Sequence, residues 1–549
     1  MILYREIAAV IGEAPGRAVI EYFGKPLSGA AFLRRVDALS AALQGLGLEP
    51  GDRVGICLPN LPDAVALFYG ANRAGLTPVM LSPKSAPAEL SLQLRMTGCR
   101  VLFFADLFYR PLRPLLEEGF LRQAIPIPVS KGLSPGLRFA VAGRCASAHL
   151  PGKKPAALLP LNAFLAKGTG RIPRDEACPE GLGAILFTSG SEGDPKGVLL
   201  SERAINCSAK SCIATVEDIR PGSGMLAVLP IFHAFGLNVA IHIAFLARVR
   251  CILVPFFRPK SIARIIIRQK PAFFPAVPTI FSRILSCGLL QKAEAKGKLD
   301  FSQFRLGFCG GDDADPALLD QWNGMIARCG GTGRISAGYG MTECCPVCLS
   351  PQGVNLRGCV GAPFGDLLPG IFDPETGQPL PAGRVGELYL SGSALLEGYL
   401  KADGTWEDPF LFPDGLRRFP TGDLFEMDDA GLLHFRGRKK RLVKISGHTV
   451  MEPAVERACL ESGLLSEAHV VALPHPTRGC CTAVLAVPRE GCDPTPEQIR
   501  EAVARQMIPY AVPAVVRFCS ADQVPRTPLG KPDRARIIEA VDGEPRREE

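Results

Sequence analysis

Short apolar strands alternate with helical segments along much of this chain, and this alternation restricts the folds that it can adopt. Between residues 31 and 85 a helix, a strand, a helix and a strand follow one another, with the strands at 54–58 and 78–81. The same pattern returns at 184–187, 225–229, 251–254 and 306–309. Alternating helices and short buried strands are typical of a parallel, doubly wound sheet, so the sequence predicts an α/β fold.

The second part of the chain predicts a change of architecture. From about residue 345 to 437, short strands are separated by Gly, Asp and Pro turns, which indicates a β-barrel subdomain. After a basic run the sequence again alternates helix and strand. We therefore expect an N-terminal domain over 1–437 and a small C-terminal α+β domain over 438–549. Residues 130–180, rich in Pro, Gly, Lys and Ala, are expected to form a surface excursion rather than core.

The composition limits the classes of protein that fit. The net charge of +8 is spread over 549 residues and forms no dense basic stripe, so nucleic-acid binding is not expected. The 19 cysteines are scattered and odd in number, which favours reduced thiols in a cytoplasmic protein. The most apolar stretch, 235–247, is too short to span a bilayer and predicts a buried helix. Peripheral contact with the inner face of a membrane stays open as an alternative.

A glycine-rich segment, TSGSEGDPKG at 188–197, directly follows a predicted buried strand. Glycines let the backbone N–H groups approach a ligand closely, while hydroxyls and a lysine add donors and positive charge. Polyphosphate is the expected ligand, although the segment lacks the spacing of a Walker A loop. The alternative is a flexible surface turn. The candidate binding residues are Thr188, Ser189, Gly190, Ser191, Gly193 and Lys196.

Two further segments carry acidic residues suited to a nucleotide. In GYGMTE at 338–343, Glu343 offers the hard oxygen that Mg²⁺ prefers, and Thr342 can hydrogen-bond an α-phosphate. In the Thr-Gly-Asp turn that ends at Asp423, the carboxylate can accept hydrogen bonds from both ribose hydroxyls. Taken alone, each segment could be an ordinary turn.

Three more segments complete the set. The basic run GRKKRLVK at 437–444 falls at the expected domain boundary, although a charge run is usually a solvated face. Lys531 lies between Gly and Pro in PRTPLGKPD, where an exposed turn lysine is the alternative. His233 lies among aromatic residues in LPIFHAFGL, where a satisfied core histidine is the alternative.

In this order along the chain, the segments resemble the adenylate-forming superfamily of acyl-CoA synthetases, luciferases and peptide-synthetase adenylation domains. The resemblance covers essentially the whole chain. It implies a large N-terminal domain of two α/β sheets plus a β-barrel, with a small mobile C-terminal domain. It also implies use of ATP with Mg²⁺ to form an acyl-adenylate, whose acyl group then passes to a thiol.

The resemblance assigns a nucleotide role to most of these residues. The 188–197 loop would contact the β- and γ-phosphates, and Thr342 and Glu343 would contact the α-phosphate and Mg²⁺. Asp423 would bind the ribose. The remaining nucleotide residues would be Gly310, Gly311 and Asp312 against the adenine, Tyr339 stacked on it, and Arg438 at the ribose or phosphate.

The resemblance also implies a moving domain and an acyl site. Lys440 would be the hinge, and Lys531 would bridge the substrate carboxylate and the α-phosphate. The acyl pocket would be lined by His233, Phe235, Val277, Pro278 and Gly338.

Four stretches narrow the resemblance further: TSGSEGDPKGV, LPIFHAFGL, GYGMTECCPV and GRKKRLVKISGHTV. They are similar to bacterial acyl-acyl-carrier-protein synthetases, the synthetase half of the bifunctional 2-acylglycerophosphoethanolamine acyltransferase. None of the seven histidines precedes an Asp by five residues, so the H-x-x-x-x-D acyltransferase chemistry is not expected here. The implied partners are a fatty acid and acyl-carrier protein.

Several alternatives stay open from the sequence. Coenzyme A is the alternative thiol acceptor, which makes the chain a long-chain acyl-CoA synthetase. A luciferase-like oxygenase, a non-catalytic binder and a direct lysophospholipid acyltransferase are further alternatives. The basic run predicts dense positive charge beside the thiol entrance, which would attract an acidic carrier protein.

Overall fold

The computed structural model describes residues 2–129, 155–178, 180–189, 195–216, 218–344, 348–349, 356, 358–446, 448–475, 478–526 and 532–542, without the side chains of Ser189, Leu349 and Thr449. The chain divides into two compact units. The first comprises Met1–Pro369, Leu390–Phe412 and Leu416–Phe419. The second comprises Gly370–Tyr389, Pro413–Gly415 and Pro420–Glu549.

The α-helices of the described residues are α1 (Leu3–Gly12), α2 (Gly29–Gln44), α3 (Pro62–Arg73), α4 (Pro87–Met96), α5 (Tyr109–Glu117), α6 (Leu161–Ala166), α7 (Glu202–Ala214), α8 (Ile243–Leu246), α9 (Pro259–Gln269), α10 (Pro278–Ser286), α11 (Leu289–Glu294), α12 (Pro316–Arg328), α13 (Glu452–Glu461), α14 (Pro496–Ala504) and α15 (Arg534–Val541). A π-helix spans Phe235–His242, and short 3₁₀ turns occur at Asp106–Phe108, Lys439–Arg441 and Pro509–Ala511.

The strands are β1 (Ala18–Tyr22), β2 (Lys25–Ser28), β3 (Arg53–Cys57), β4 (Thr77–Met80), β5 (Val101–Ala105), β6 (Gln123–Ile127), β7 (Leu182–Ser189), β8 (Pro195–Ser201), β9 (Gly224–Ala227), β10 (Arg250–Leu253), β11 (Phe273–Ala276), β12 (Leu306–Cys309), β13 (Arg334–Tyr339), β14 (Cys348–Leu349), β15 (Cys359–Pro363), β16 (Leu368–Phe372), β17 (Val385–Ser391), β18 (Gly398–Leu400), β19 (Trp406–Glu407), β20 (Phe419–Met427), β21 (Leu433–Arg438), β22 (Leu442–Ile445), β23 (His448–Met451), β24 (Leu465–His475), β25 (Gly479–Pro488) and β26 (Val515–Phe518).

Two sheets organise the first unit. One has the strand order β19-β18-β8-β7-β4-β3-β5-β6, and the other runs β15-β14-β13-β12-β11-β9-β10-β1-β2. Strands β7, β4, β3, β5 and β6 pair in parallel, as do β1, β10, β9, β11, β12 and β13. The predicted mixed α/β fold with parallel sheets is therefore confirmed, with β8 pairing antiparallel to β7.

The apolar periodicity of the sequence explains how these elements pack. In α2 the residues Phe32, Val36, Leu39 and Leu43 recur at helical spacing, and all four side chains are fully buried. Ser28 caps this helix because its hydroxyl accepts a hydrogen bond from the N–H of Ala31. The sequence therefore fixes both the start of the helix and the face that it buries.

The apolar stretch 235–247 forms the predicted buried helix, but its first part is a π-helix. Phe235–His242 has the wider π-turn, and residues 236–247 are all buried. His242 lies between the Tyr69 hydroxyl and the Asn206 side-chain oxygen, 3.0 Å from each. Burial, followed by the positive charge of Lys210, lowers the pKa of His242 to about 3, so the ring is neutral.

A second buried polar contact joins α3 to the start of α7. The Glu202 carboxylate accepts a hydrogen bond from Asn72 Nδ2 at 2.5 Å, and Asn72 Oδ1 accepts one from the N–H of Tyr4 at 3.1 Å. Burial raises the pKa of Glu202 to about 7, and the bond from Asn72 opposes that rise. Near neutral pH the Glu202 carboxyl group is therefore close to its pKa, so both the protonated and the ionised form are populated.

The segment expected to be a surface excursion is not entirely on the surface. Phe164 of α6 is fully buried, and its ring lies 5.1 Å from that of Phe103. Gly168 approaches α2 so closely that a Cβ atom there would lie 2.6 Å from the backbone nitrogen of Ala42. The prediction was wrong for this part because the short apolar stretch Leu161–Ala166 (LNAFLA) lies within the Pro-, Gly- and Lys-rich segment and buries Phe164.

The second unit has smaller sheets. Strands β16, β17, β20 and β21, most of whose residues belong to this unit, are neighbours in that order. Further along the chain, β22 pairs with β23, and β24, β25 and β26 form a three-stranded sheet. Among the helices that the structure describes, none is long and apolar enough to cross a membrane.

Candidate active site

The described ends of the glycine-rich segment lie at the end of β7 and the start of β8, which pair with each other in the first unit. Ser189 pairs with Pro195, and Thr188 pairs with Lys196. Gly190, Ser191 and Gly193 lie outside the described residues. The far side of β8 pairs with β18, where Val198 is opposite Tyr399. The hairpin is therefore held on both sides, and this fixes the direction in which Lys196 leaves the sheet.

One tyrosine links two residues that the sequence singled out separately. Lys196 Nζ lies 5.1 Å from the centre of the Tyr399 ring, close enough for a cation–π contact. The Tyr399 hydroxyl donates a hydrogen bond of 2.7 Å to Glu343 Oε1. Burial and the nearby Glu343 charge raise the pKa of Tyr399 well above its usual value, so the hydroxyl keeps its proton and donates.

Lys196 also has an acidic neighbour that the sequence reasoning missed. Its ammonium lies 3.4 Å from Glu407 Oε2, and Lys401 lies 3.6 Å from the same oxygen. Glu407 is opposite Tyr399 in the β18–β19 pairing. Tyr399 and Glu407 could not be predicted as neighbours of Lys196, because only the pairing of β18 with β8 brings them close to it. In the sequence, Lys196 and Glu407 are 211 positions apart.

Replacing Tyr399 by Phe should lower kcat/KM for Mg·ATP in adenylate formation by about tenfold, the usual effect of one hydrogen bond to a charged group. The ring that faces Lys196 stays, and only the hydroxyl that holds Glu343 is lost. Pyrophosphate–ATP exchange at varied Mg·ATP measures the effect. Tyr109→Phe is the matched control, since Tyr109 stacks on Phe104 in another part of the unit. An unchanged kcat/KM in Tyr399→Phe would contradict this role of the hydroxyl.

The carboxyl ends of three parallel strands meet at a second group of predicted residues. Val277 follows β11, Gly310 follows β12, and Gly338 lies near the end of β13. A Cβ atom on Gly310 would lie 2.8 Å from the Gly338 carbonyl oxygen, so the close approach requires glycine. Gly311 has φ +82°, and a Cβ atom added there would lie 3.3 Å from the Val277 side chain. Ligands of open α/β sheets bind at this edge.

Two predicted acyl residues meet at one aromatic ring. Phe235 lies 5.3 Å from Phe308 between ring centres, and a Cβ atom on Gly338 would lie 2.4 Å from that same Phe308 ring. His233 lies in a turn closed by its N–H bond to Pro230, with its ring 4.8 Å from that of Phe232. The remaining predicted acyl residue, Pro278, is the first residue of α10.

The other predicted nucleotide residues of the first unit lie on the turns that follow β12 and β13. Asp312 is exposed, and its carboxylate accepts a hydrogen bond from the N–H of Asp313. Tyr339 ends β13, with its hydroxyl 3.6 Å from the Met341 sulfur. Thr342 lies in the turn that Cys344 closes onto Met341. Thr342 and Glu343 are thus adjacent to the strand end that carries Gly338.

A narrow crevice begins beside this group, at the residues that directly follow Glu343 and His233. It holds about 290 Å³ of empty space, part of which is open to solvent. Its lining is mostly apolar and comes from β7, β8, α7, the π-helix region and the turns after β13 and β17: Leu186, Leu200, Ala204, Ile205, Ser208, Ala234, Leu237, Asn238, Cys344 and Ala394. An apolar cleft beside a few polar groups is the usual form of a small-molecule site.

In the second unit, Asp423 lies opposite Arg438 in the β20–β21 hairpin. Arg438 Nε is 3.3 Å from Asp423 Oδ1, and the Asp423 side chain is nearly buried while that of Arg438 is largely exposed. The Thr421 hydroxyl donates to the carbonyl of Leu388 and accepts from the N–H of Asp423. Two residues predicted to bind the ribose are therefore brought together by strand pairing.

Most basic side chains of the run at 438–444 are paired with carboxylates, which the sequence did not predict. Lys439 Nζ is 2.7 Å from Glu387, Lys444 is 2.8 Å from Glu375, and Arg438 pairs with Asp423. Arg441 pairs with two carboxylates, those of Glu452 and Glu456. Within the described part of the chain, Lys440 is the member of this run without an ionic partner, and it is exposed. These partners could not be predicted because they come from segments that are distant in the sequence from the basic run.

Lys531 lies outside the described residues, but both of its flanks are described. The N–H of Asp533 donates to the carbonyl of Pro525 at 2.9 Å, and the backbones of Arg526 and Pro532 form an isolated antiparallel β-bridge. The chain thus returns to the same place after the Lys531 segment. Its predicted role, like the hinge role of Lys440, stays a prediction.

The chain is similar to known proteins over most of its length. The profile of the AMP-binding enzyme family matches residues 7–400, and that of the AMP-binding enzyme C-terminal domain matches residues 454–531. The chain is 28% identical to a long-chain-fatty-acid–CoA ligase of Bacillus subtilis, over 96% of this chain and 92% of that protein.

Solved structures share the fold. An amide bond synthetase, McbA from Marinactinospora thermotolerans, aligns with a TM-score of 0.78 and 22% identity, covering 98% of this chain and 99% of that one. ATP-bound MatB from Rhodopseudomonas palustris aligns with a TM-score of 0.78 and 23% identity, covering 98% of each chain.

The chain belongs to the AMP-binding enzyme family. This confirms the predicted superfamily and the predicted class of enzyme, an AMP-forming acid–thiol ligase that uses ATP with Mg²⁺. The narrower resemblance to acyl-acyl-carrier-protein synthetases stays a prediction.

The residues present fit Mg²⁺ held with a nucleotide. Glu343 is a buried carboxylate whose position is fixed by the Tyr399 hydroxyl. Among the described residues, no group of three or more His, Cys, Asp and Glu side chains could hold a metal by itself. Mg²⁺ is commonly bound through one or two carboxylates together with substrate phosphates and water, and a single buried Glu suits that mode.

Proposed function

We propose that this enzyme activates a long-chain fatty acid as an acyl-adenylate and transfers the acyl group to the phosphopantetheine thiol of acyl-carrier protein. The four motif stretches support the carrier protein, and the name of the Bacillus subtilis relative supports the fatty acid. Coenzyme A carries the same phosphopantetheine arm, and it is the acceptor in that relative's name. It is therefore the second candidate acceptor.

The observation that carries the proposal is the position of the apolar crevice. It begins at Cys344 and Ala234, the neighbours of Glu343 and His233, and continues between the sheet and α7. A ligand with an acidic head beside Glu343 and an apolar tail would extend into this space. Only about 10 Å³ of this space can hold a water-sized molecule, far below the roughly 300–1,000 Å³ of ligand pockets, so a long chain requires the crevice to widen.

The first step forms a mixed anhydride. A carboxylate oxygen of the fatty acid attacks the α-phosphorus of ATP, the bond to the pyrophosphate oxygen breaks, and pyrophosphate leaves. The chain contributes position and charge: Lys196 and the hairpin loop at the phosphates, and Lys531 at the carboxylate and α-phosphate. Glu343 would hold Mg²⁺, which would supply positive charge at the phosphate oxygens.

The second step transfers the acyl group. The thiol loses its proton to solvent, and the thiolate attacks the acyl carbonyl carbon. The bond from that carbon to the phosphate oxygen breaks, and AMP leaves. In the proposed roles, Asp423 accepts hydrogen bonds from the ribose hydroxyls throughout, with Arg438 beside it. Rotation about Lys440 moves Lys531 out of the site before this step.

A direct comparison of acyl-carrier protein with coenzyme A tests which thiol the enzyme uses. We expect holo-acyl-carrier protein to give the higher kcat/KM. Because the basic run is paired with carboxylates, that preference should change little with salt, in contrast to steering by exposed charges. AMP release is measured with fatty acids of increasing chain length, with each acceptor, across a salt series. Equal or better use of coenzyme A throughout would make the enzyme an acyl-CoA synthetase, and no AMP release with any fatty acid would reject the substrate class.

A further inference from the structure

The positive charge of the first unit is concentrated in one stretch of the chain. Between Asp218 and Glu294 the sequence contains ten Lys and Arg residues and no Asp or Glu, whereas the net charge of the whole chain is +8. The even spread expected from the composition therefore does not hold here. The cations form no dense run because apolar residues separate them, as in RIIIR at 264–268.

Four of these ten cations have acidic partners, and six do not. Arg220, Arg248, Arg250 and Lys270 pair with Asp218, Glu13, Glu21 and Asp300, respectively. The other six are exposed and have no ionic partner within the described part of the chain: Arg258, Lys260, Arg264, Arg268, Arg283 and Lys292. We call these six residues the basic surface. Their charges are available to a partner outside the chain.

The basic surface lies on three helices that pack against one another. Lys260, Arg264 and Arg268 recur every fourth residue and so lie along one face of α9. Another face of α9 is buried, with Ile262 and Ile266 in a core that α10 and α11 share. Each of these two helices contributes one further cation. The fold therefore gathers charges that are spread over 35 positions of the sequence, from 258 to 292.

An exposed aromatic residue lies at the start of the basic surface. Phe256 is 46% exposed, although it closely follows the buried strand β10. The neighbouring Phe257 is half-buried against the core, and Arg283 Cζ lies 5.1 Å from the centre of its ring. Cations together with an exposed aromatic ring are typical of surfaces that bind at the boundary between lipid headgroups and acyl chains.

The start of α9 carries positive charge where a helix favours negative charge. Arg258 is the N-cap residue, Lys260 follows in the first turn, and that turn contains no acidic residue. The N-terminal end of the helix dipole is itself positive, so these cations are unfavourable there without an anion nearby. The phosphate group of a lipid would offset this repulsion.

The basic surface begins at the sheet edge that carries predicted acyl residues. Strands β9, β10 and β11 pair in parallel, so their carboxyl ends lie at the same edge. Phe256 and Arg258 follow β10 there, and Val277 follows β11. Pro278, another predicted acyl residue, begins the helix that carries Arg283. A fatty acid that leaves a bilayer in contact with the basic surface would therefore meet the enzyme near its acyl site.

We propose that the basic surface and Phe256 dock the enzyme on a bilayer that contains anionic phospholipid, with the Phe256 ring inserted among the headgroups. The inference rests on the proposed function for its purpose, which is to bring the acyl site to fatty acids dissolved in the bilayer. Six cations are within the range of about four to eight that recognise anionic lipid. The exposed ring favours a lipid surface over a nucleic acid or an acidic protein, because only the lipid offers it an apolar environment.

Vesicle binding tests the proposal directly. The full chain, without substrates, is mixed with sedimentable vesicles of phosphatidylcholine alone, or of equal parts phosphatidylcholine and phosphatidylglycerol. We expect binding to the anionic vesicles only. It should weaken as added salt shortens the screening length from about 10 Å at roughly 0.1 M to about 3 Å at roughly 1 M.

Two variants separate the charge from the aromatic ring. The triple variant Lys260→Gln, Arg264→Gln and Arg268→Gln should bind anionic vesicles about a hundredfold more weakly, at about fivefold for each cation. Phe256→Ser should bind about three- to tenfold more weakly, since about half of the ring is exposed and available for insertion.

The matched control is the triple variant Lys25→Gln, Arg34→Gln and Arg110→Gln. It removes the same charge from exposed positions of the first unit outside the basic surface, so it should bind vesicles like the natural chain. AMP release with detergent-dispersed fatty acid should be unchanged in every variant, and melting temperatures are measured alongside. Absence of AMP release in the natural chain would reject the proposed function alone, because vesicle binding is measured without substrates.

Three results would overturn the inference: no binding to anionic vesicles, equal binding to both kinds of vesicle, or equal losses in the two triple variants. Binding of RNA or holo-acyl-carrier protein in place of vesicles, lost on changing Lys260, Arg264 and Arg268, would assign the basic surface to that other partner and also overturn it. Should this triple variant not fold, Arg264→Gln decides alone: a loss of about fivefold supports the inference, and no loss overturns it.

Discussion

Lys531→Ala should lose about 10²- to 10³-fold in adenylate formation, the usual cost of removing one group that stabilises charge in a transition state. The same variant should still form thioester from supplied acyl-adenylate at close to the normal rate. The reason is that Lys531 is proposed to neutralise charge between the carboxylate and the α-phosphate, which matters only while pyrophosphate is leaving. Pyrophosphate–ATP exchange measures the first step, and acyl transfer from synthetic acyl-adenylate measures the second.

The control for this variant is Lys296→Ala, which removes an exposed lysine of the first unit. Both half-reactions should be unaffected by it. If Lys531→Ala lowers the two half-reactions equally, the lysine does not act in the first step alone, and the assignment is wrong.

Glu202→Gln should remove a pH-dependent loss of stability. The usual carboxyl pKa of 4.5 is raised in the folded protein to about 7, chiefly by burial. The folded state therefore binds more protons at Glu202 than the unfolded state between these values, so the contribution of Glu202 to stability is largest below pH 4.5 and is lost as the pH rises through 7. The difference of about 2.5 pKa values corresponds to roughly 3 kcal/mol.

The measurement is the free energy of unfolding in urea at pH 5 and pH 8. Gln keeps an oxygen that accepts the bond from Asn72 but carries no charge, so the variant should gain roughly 3 kcal/mol over the natural chain at pH 8 and little at pH 5. Glu49→Gln, at an exposed site of the same unit, should give no such difference. A natural chain and a Glu202→Gln variant that respond alike to pH would show that Glu202 is ionised in the folded protein at little cost.

The sequence predicted those parts of the fold that depend on local periodicity. The strand at 306–309 is found at Leu306–Cys309, and the helices and strands between 31 and 85 occur in the predicted order. These elements are predictable because a buried helical face or a short buried strand produces a recognisable pattern of apolar residues within a few consecutive positions. The π-helix at Phe235–His242 was predicted only as a helix, since a wider turn does not alter the pattern of a mostly apolar stretch.

The candidate site was predictable to the extent that its residues lie in short motifs. Lys196 and Glu343 stand in glycine-rich turns that the sequence marks, whereas their link through Tyr399 depends on strand pairing across the chain. The charges of the basic run were predicted without their partners for the same reason. Glu375, Glu387 and Glu452 lie in segments with no local mark of pairing, so only the structure reveals that the run is neutralised.

The pairing of β8 with β18 also has a consequence for the folding of the chain during its synthesis on the ribosome. When residues 195–201 emerge, β8 can pair with β7 but its other edge has no neighbour until residues 398–400 are made. At roughly 5–20 residues per second, that edge stays open for roughly 10–40 seconds. An unpaired strand edge is a template for association with other chains. The β7–β8 hairpin is thus exposed to misassembly during this time, and a chain cut short between β8 and β18 would keep that edge permanently.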